Sequence, residues 1–168
     1  LTELDVSHNM ALETLWCYNN QLTELDISHN TLLVTLNVSD NQLTELNLSK
    51  NLALEKFSCS HNQLAELDVR NNTKLIFLYC YGNQLSKLDI SQNLALEDLC
   101  CHYNPIASLD ISKNTALTDL GAEGLKLTSL DVSNNLRLTW INCSSNQITA
   151  LDVSHNPELS TLWVTGNQ

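Results

Sequence analysis

A 21-residue repeat runs through the chain eight times without an insertion or deletion, starting at Leu1, Leu22, Leu43, Leu64, Leu85, Ile106, Leu127 and Ile148. A unit this short cannot bury its own apolar side chains. The copies must stack as coils that share one continuous core. The consensus, LTxLDVSxNxALxxLxCxxNQ, has two similar halves, LxxLDVSxN and LxxLxCxxN. Each half alternates apolar and variable residues with a period of two, which predicts a short extended segment. Neither half holds the ten or so residues of 3.6-residue periodicity that a helix needs. One coil therefore reads as strand, turn, strand, turn, with neighbouring coils about 4.8 Å apart in parallel ladders.

Positions within a coil form columns down the chain. Six columns are apolar and are expected to face inward. Column fifteen, for example, is Leu15, Leu36, Phe57, Leu78, Leu99, Leu120, Ile141 and Leu162. Column nine is Asn in every coil, and column twenty is Asn in all but coil six, which has Leu125. A short amide at a turn can bond backbone groups that the turn leaves unpaired. Coil six departs further, with Gly121, Ala122, Gly124 and Lys126, and predicts an irregular turn or a change of shape.

LxxLxCxxN and LxxLDVSxN both match the leucine-rich-repeat segment LxxLxLxxN. The 21-residue period, the LDVS or LDIS half, and cysteine in place of the last core leucine resemble a bacterial leucine-rich-repeat subclass, the internalin J type, whose cysteines form a ladder. The resemblance covers all 168 residues. It implies a leucine-rich-repeat solenoid, mostly β with no long helices, forming a single domain over residues 1–168. It implies a concave parallel sheet built from LxxLxCxxN, with LDVS as short extended or turn segments on the convex side. It also implies an extracellular or cell-surface bacterial protein with a role in adhesion. The first and last coils are as regular as the middle ones, although solenoids need polar end caps. The chain is therefore expected to be part of a longer protein, or to make end-to-end contacts through uncapped coils.

Five of the six cysteines share column seventeen: Cys17, Cys59, Cys80, Cys101 and Cys143. Val38, Ala122 and Val164 fill the gaps, so the thiol there is expected to act as a small buried hydrophobe. A straight column does not offer zinc a tetrahedron, and parallel Cβ vectors disfavour a disulfide. Free thiols are expected, with no metal and no cofactor. Cys100 falls one residue before the ladder and is expected to face outward.

Columns fourteen, sixteen, eighteen and nineteen flank the inward leucine and cysteine and are expected to face out from the sheet. Eight of the nine aromatic residues lie there: Trp16, Tyr18, Phe77, Tyr79, Tyr81, Tyr103, Trp140 and Trp163. Aromatic residues favour strands in any case. The other half supplies a control, because its columns three, five, seven and eight hold no aromatic residue. A one-sided aromatic surface marks a binding face. These eight residues, with His102, are the candidate ligand-binding set. Asp40, Asp98, Asp119 and Glu123 lie among them. Rings beside carboxylates suit cationic peptide segments, and they equally suit sugars that stack on rings and donate hydroxyls. The expected partner is a protein or glycan on the concave face. The alternative is a structural spacer with no ligand of its own.

Net charge is -11. That argues against nucleic acid and against anionic membrane surfaces. No apolar run of about 18 residues predicts membrane insertion, and the opening LTELDVSHN lacks the features of a signal peptide. Asp98, Cys100 and His102 have the composition of a nucleophile triad. Alternate strand residues, however, stand about 6.5–7 Å apart with parallel side chains, and no elbow or helix N-terminus offers an oxyanion hole. No catalysis is expected. Column five runs Asp5, Asp26, Asn47, Asp68, Asp89, Asp110, Asp131 and Asp152. Like charges about 5 Å apart repel by about 0.8 kcal/mol even in water. Neighbouring serines and turn amides can offset this, as could weakly bound calcium. His8, His29 and His155 share column eight without clustering and read as solvated.

Overall fold

The computed structural model describes residues 1–168. Eight three-residue strands follow one another: β1 (Thr14–Trp16), β2 (Thr35–Asn37), β3 (Lys56–Ser58), β4 (Phe77–Tyr79), β5 (Asp98–Cys100), β6 (Asp119–Gly121), β7 (Trp140–Asn142) and β8 (Thr161–Trp163). They form one parallel sheet in sequence order. The register never slips: Leu36 faces Phe57, Leu78 faces Leu99, and Ile141 faces Leu162. No helix is long and apolar enough to cross a membrane. The six apolar columns meet in one core cluster of 39 buried residues. Full burial of each such leucine or isoleucine is worth about 1.5–3 kcal/mol. The ladder thiols of Cys59, Cys80 and Cys101 lie wholly inside, and burial pushes all three up from their ordinary value. All six cysteines are free thiols.

Of the two predicted strands of each coil, the one in the LDVS half is absent. Columns three to seven make no backbone hydrogen bonds to neighbouring coils. Their amides are spent locally instead. In coil five, Ser91 N donates to Asp89 Oδ1 at 3.0 Å, and Asn93 N closes a turn onto Ile90 O at 3.0 Å. The column-nine asparagines replace the missing ladder. Asn93 Nδ2 donates to Val69 O at 3.0 Å and to Asn72 O at 2.8 Å, both in the preceding coil. The same pair of bonds recurs from Asn30 to Asn156. The matching Oδ1 atoms are buried and accept nothing.

Past the strands, the ladder continues through columns seventeen and nineteen. Cys80 N donates to Cys100 O and Gly82 N to His102 O, each at 2.9 Å. Column nineteen then turns sharply, and φ is positive there in every coil: Asn19, Asp40, His61, Gly82, Tyr103, Gly124, Ser145 and Gly166. Glycine, asparagine and aspartate tolerate this left-handed region, whereas His61 and Tyr103 are held there by the stack. Column nineteen is therefore a turn and not part of the outward sheet face.

Column twenty locks that turn. Asn83 Nδ2 donates to Cys80 O of its own coil and to Cys59 O of the preceding coil, each at 3.0 Å. Its Oδ1 accepts from Leu64 N at 3.0 Å. Every column-twenty asparagine except the first repeats this three-way grip. Leu125 in coil six cannot, so Ile106 N lacks the side-chain acceptor that its counterparts have.

The column-five side chains find hydrogen-bond donors within their own turns. All eight side chains accept the column-seven amide, from Asp5 with Ser7 N at 2.9 Å to Asp152 with Ser154 N at 2.8 Å. The Ser7 and Ser28 amides, with their hydroxyls second, hold Asp5 and Asp26 below the ordinary carboxylate value. For Asp89, Asp110, Asp131 and Asp152 the serine hydroxyl leads and the amide follows. The Arg70 guanidinium, bonded to Asp68 at 2.9 and 2.8 Å, holds that carboxyl down to about 2.

Two outcomes are expected. Asn83→Ala should lower unfolding free energy by about 2–4 kcal/mol in urea titrations, because buried carbonyls and an amide lose partners. Asn20→Ala, whose NH₂ bonds only Cys17 O and Tyr18 O of its own coil, should cost about 1 kcal/mol. Equal costs would show that the inter-coil bond is inert. The second outcome concerns acid. Groups with depressed folded values stabilise the fold above their unfolded value and lose that contribution as pH falls through the folded one. Thermal melts should therefore decline below about pH 4, towards the value near 2 set by Asp68. Asn47 Oδ1 accepts Ser49 N at 3.0 Å without any charge. Replacing Asp89, Asp110 and Asp131 with Asn keeps the bond but not the charge, so it should lower the neutral-pH melting temperature modestly and flatten the acid decline, with variant and wild type converging at low pH.

Candidate functional site

Columns fourteen and sixteen face away from the core because side chains alternate across a strand. In β4, Leu78 is buried while Phe77 and Tyr79 are half-buried. From β4 to β7 the two outward rows read Phe77, Asp98, Asp119, Trp140 and Tyr79, Cys100, Gly121, Asn142. Large rings stand at the two sides, and β5 and β6 carry only short side chains between them. The result is a pocket of about 440 Å³ lined by Tyr79, Tyr81, Asp98, Cys100, Asp119 and Trp140.

Each ring in this pocket is braced. Tyr79 OH donates to Asp98 Oδ2. The Tyr81 ring meets His61 edge-on at 4.8 Å. Trp140 contacts His102 at 6.4 Å and Trp163 at 5.8 Å, with interplanar angles of 87° and 68°. His102 is itself fixed, with Nδ1 accepting Glu123 N at 2.7 Å. Burial pulls the imidazole below its ordinary 6.5, although Glu123 acts the other way.

The irregularity of coil six follows from coil five. A Cβ on Gly121 would lie 2.5 Å from His102 Nε2 and 3.2 Å from Cys100 Sγ. A Cβ on Gly124 would lie 2.6 Å from the Tyr103 ring. Both glycines make room for rings of the preceding coil.

Asp98 and Asp119 are Cα partners on adjacent strands. Asp98 takes its bond from Tyr79, and Asp119 takes one from Thr118 Oγ1 at 2.7 Å. Neither carboxylate has a cationic partner, since the one salt bridge in the chain is Arg70–Asp68. Burial raises Asp98 above its ordinary value, and the Asp119 charge adds to the rise. Burial also pushes the Cys100 thiol up to about 12, which leaves it a weak nucleophile.

The nine candidate residues are not one patch. Tyr79, Tyr81 and Trp140 line the pocket, and His102 and Trp163 support Trp140. Phe77 lies beside the pocket with Lys56 Nζ 5.4 Å from its ring centre. Tyr103 sits in the left-handed turn, 55% exposed, over Gly124. Trp16 and Tyr18 belong to coil one, 67% and 47% exposed, and stand apart from the pocket. Sequence reasoning missed a second depression. A groove of about 850 Å³ on the opposite half of coils one to four is edged by Glu3, Glu24, Glu45 and Glu66. Its signal was column three, which is Glu in those four coils and Lys87, Ser108, Ser129 and Ala150 afterwards.

The leucine-rich-repeat family pattern matches residues 18–33, 29–45 and 106–126. No curated protein matches the chain significantly. Several solved structures do. The functional domain of internalin J from Listeria monocytogenes, which includes a cysteine ladder, is 38% identical with a TM-score of 0.99, over 100% of this chain and 38% of that one. A leucine-rich-repeat protein from Leptospira interrogans is 25% identical with a TM-score of 0.92, over 97% of this chain and 45% of that one. YopM, a leucine-rich effector protein from Yersinia pestis, is 28% identical with a TM-score of 0.84, over 93% of this chain and 44% of that one. The chain thus spans less than half the length of each.

The constant register, the single parallel sheet and the asparagine bridges define a leucine-rich-repeat solenoid. The chain belongs to the cysteine-ladder type of bacterial leucine-rich-repeat protein, similar to the internalin J domain.

Gly121→Ala tests the packing beneath the pocket. The new methyl should displace His102 from the Glu123 amide, at a cost of about 1–3 kcal/mol. In NMR titrations the His102 imidazole should then move back up towards 6.5. An unchanged titration would show that His102 is not held by this contact.

Proposed function

We propose that the chain is a non-catalytic recognition module, holding a protein or glycan ligand on the aromatic face of its sheet, within a bacterial surface or secreted protein that serves adhesion. One observation carries the reading: Tyr79, Tyr81 and Trp140 converge on a single pocket and are braced before any ligand arrives. Rigid aromatic anchors lose little conformational freedom on binding, so more of their contact energy appears as affinity. A pure spacer needs no such convergence. The likeness to the internalin J domain supports the bacterial surface setting. The Cys100 thiol, raised by burial, supports recognition over chemistry at this face.

The test is the triple variant Tyr79→Ala, Tyr81→Ala, Trp140→Ala, compared with wild type on a glycan array and on host and bacterial cells. Anchors of this kind carry about 2 kcal/mol or more each, so binding should fall by at least about a hundredfold. Circular dichroism should show the sheet intact. Undiminished binding by a folded variant, or no binding by either protein, would favour the spacer.

A further inference from the structure

We propose that the pocket between Tyr79, Tyr81 and Trp140 seats one cationic side chain, an arginine or lysine, from a partner protein. The proposal rests on the reading of this face as a binding surface and specifies what enters it.

Asp98 and Asp119 face each other across β5 and β6, about 5 Å apart at Cα. Like charges at that spacing repel, and more strongly where water is partly excluded. Each carboxylate keeps one hydroxyl donor, Tyr79 OH or Thr118 Oγ1, and has further acceptor capacity open to the pocket. No lysine or arginine of the chain pairs with either. The nearest outward lysine in column fourteen is Lys56, and it is occupied on the far side of the Phe77 ring. A guanidinium or ammonium between the two carboxylates would turn one repulsion into two charge-assisted bonds.

The walls fit the same guest. Tyr79 and Tyr81 offer ring surface from one side and Trp140 from the other. Aromatic faces attract cations, tryptophan most strongly. Lys56 over Phe77 already makes this contact one strand away. The short side chains of Asp98, Cys100 and Asp119 between the walls leave space for the aliphatic stem of a long cationic side chain. The overall charge of -11 draws cationic segments from a distance. A neutral sugar would use the rings and hydrogen-bond the carboxylates, but it would leave their mutual repulsion in place. The paired acids therefore favour a cation.

The test uses the double variant Asp98→Asn, Asp119→Asn. Both amides can still accept from Tyr79 and Thr118, so the shape of the pocket is kept. The probes are the capped peptide acetyl-Gly-Gly-Arg-Gly-Gly-amide and its citrulline counterpart, which has nearly the same shape without the charge. Binding is read from the Trp140 indole N–H resonance, with that of Trp16, which stands apart from the pocket, as the internal reference. The arginine peptide should shift Trp140 saturably in the wild type. The citrulline peptide should bind at least about tenfold more weakly, and the double variant should lose at least about tenfold for the arginine peptide. The melting temperature should not fall. Equal binding of the two peptides, or full binding by the double variant, would overturn the proposal. So would the absence of any Trp140 shift. Neutral oligosaccharides that bind the double variant normally, but not the Tyr79, Tyr81, Trp140 triple variant, would overturn the cation while leaving the binding face standing. If the triple variant also kept all cell and glycan binding, both readings would fall.

Discussion

Every coil of this solenoid must satisfy backbone groups that no neighbouring strand can reach, and a buried side-chain amide does it. Asn83 is representative: one NH₂ grips Cys59 O and Cys80 O, and one oxygen takes Leu64 N. An unpaired buried carbonyl or amide costs about 1–3 kcal/mol, so this one residue type secures the turn of every coil but the sixth, where Leu125 stands. It also sets the register, because the same NH₂ spans two coils at once. On the far side, column nine repeats the device with Val69 O and Asn72 O of the preceding coil bonded to Asn93. The apolar columns supply most of the favourable energy. The asparagines dictate that it is collected at a 21-residue step.

Once the amides fix the register, the outward columns are free to vary, but only as neighbours permit. Coil five carries His102 and Tyr103 where coil eight carries Thr165 and Gly166, and coil six answers with Gly121 and Gly124. The variation in one coil is therefore paid back in the next. This coupling lets His102 lie over Gly121 and against Trp140, which walls the pocket whose floor is the short Asp98, Cys100 and Asp119. A sheet of uniformly large or uniformly small outward residues would be flat.

Much of this was legible because a fixed period turns the sequence into columns. The inward leucines, the free cysteine ladder and the outward rows of columns fourteen and sixteen all followed from alternation. Two features did not. LDVS and LxCxxN alternate equally well, and both read as strands. What separates them is where their amides go: Asp89 and the turn onto Ile90 consume those of LDVS before a neighbour can. Column nineteen misled in a different way. Tyr103 and His61 do not look like left-handed residues, yet Gly82, Gly124, Gly166, Asn19 and Asp40 share their column. Read down the column, the composition announces a positive φ. Read along the chain, it looks like a continuation of the strand. The gathering of Tyr79, Tyr81 and Trp140 into one pocket, with Trp16 and Tyr18 left outside, depends on the short residues of β5 and β6 and on ring contacts that no single column displays.

The aspartates show how the same residue at the same spacing can serve the fold or burden it. In column five, each carboxylate sits in water and accepts an amide of its own turn, and its titration is shifted down. Ionisation there strengthens the native state. Asp98 stands one strand from Asp119 at a similar distance, yet it is half-buried, faces a like charge and is shifted up. A folded value raised in this way means the ionised form weakens the native state, and the penalty grows as pH rises through that value. Eight coils share one core and one set of amide bridges, so the solenoid can carry such a local cost without losing its register. An arrangement that costs stability at one place, while its equivalents elsewhere add stability, is not explained by folding. On the proposal above, a charge of opposite sign arriving from outside would remove that cost.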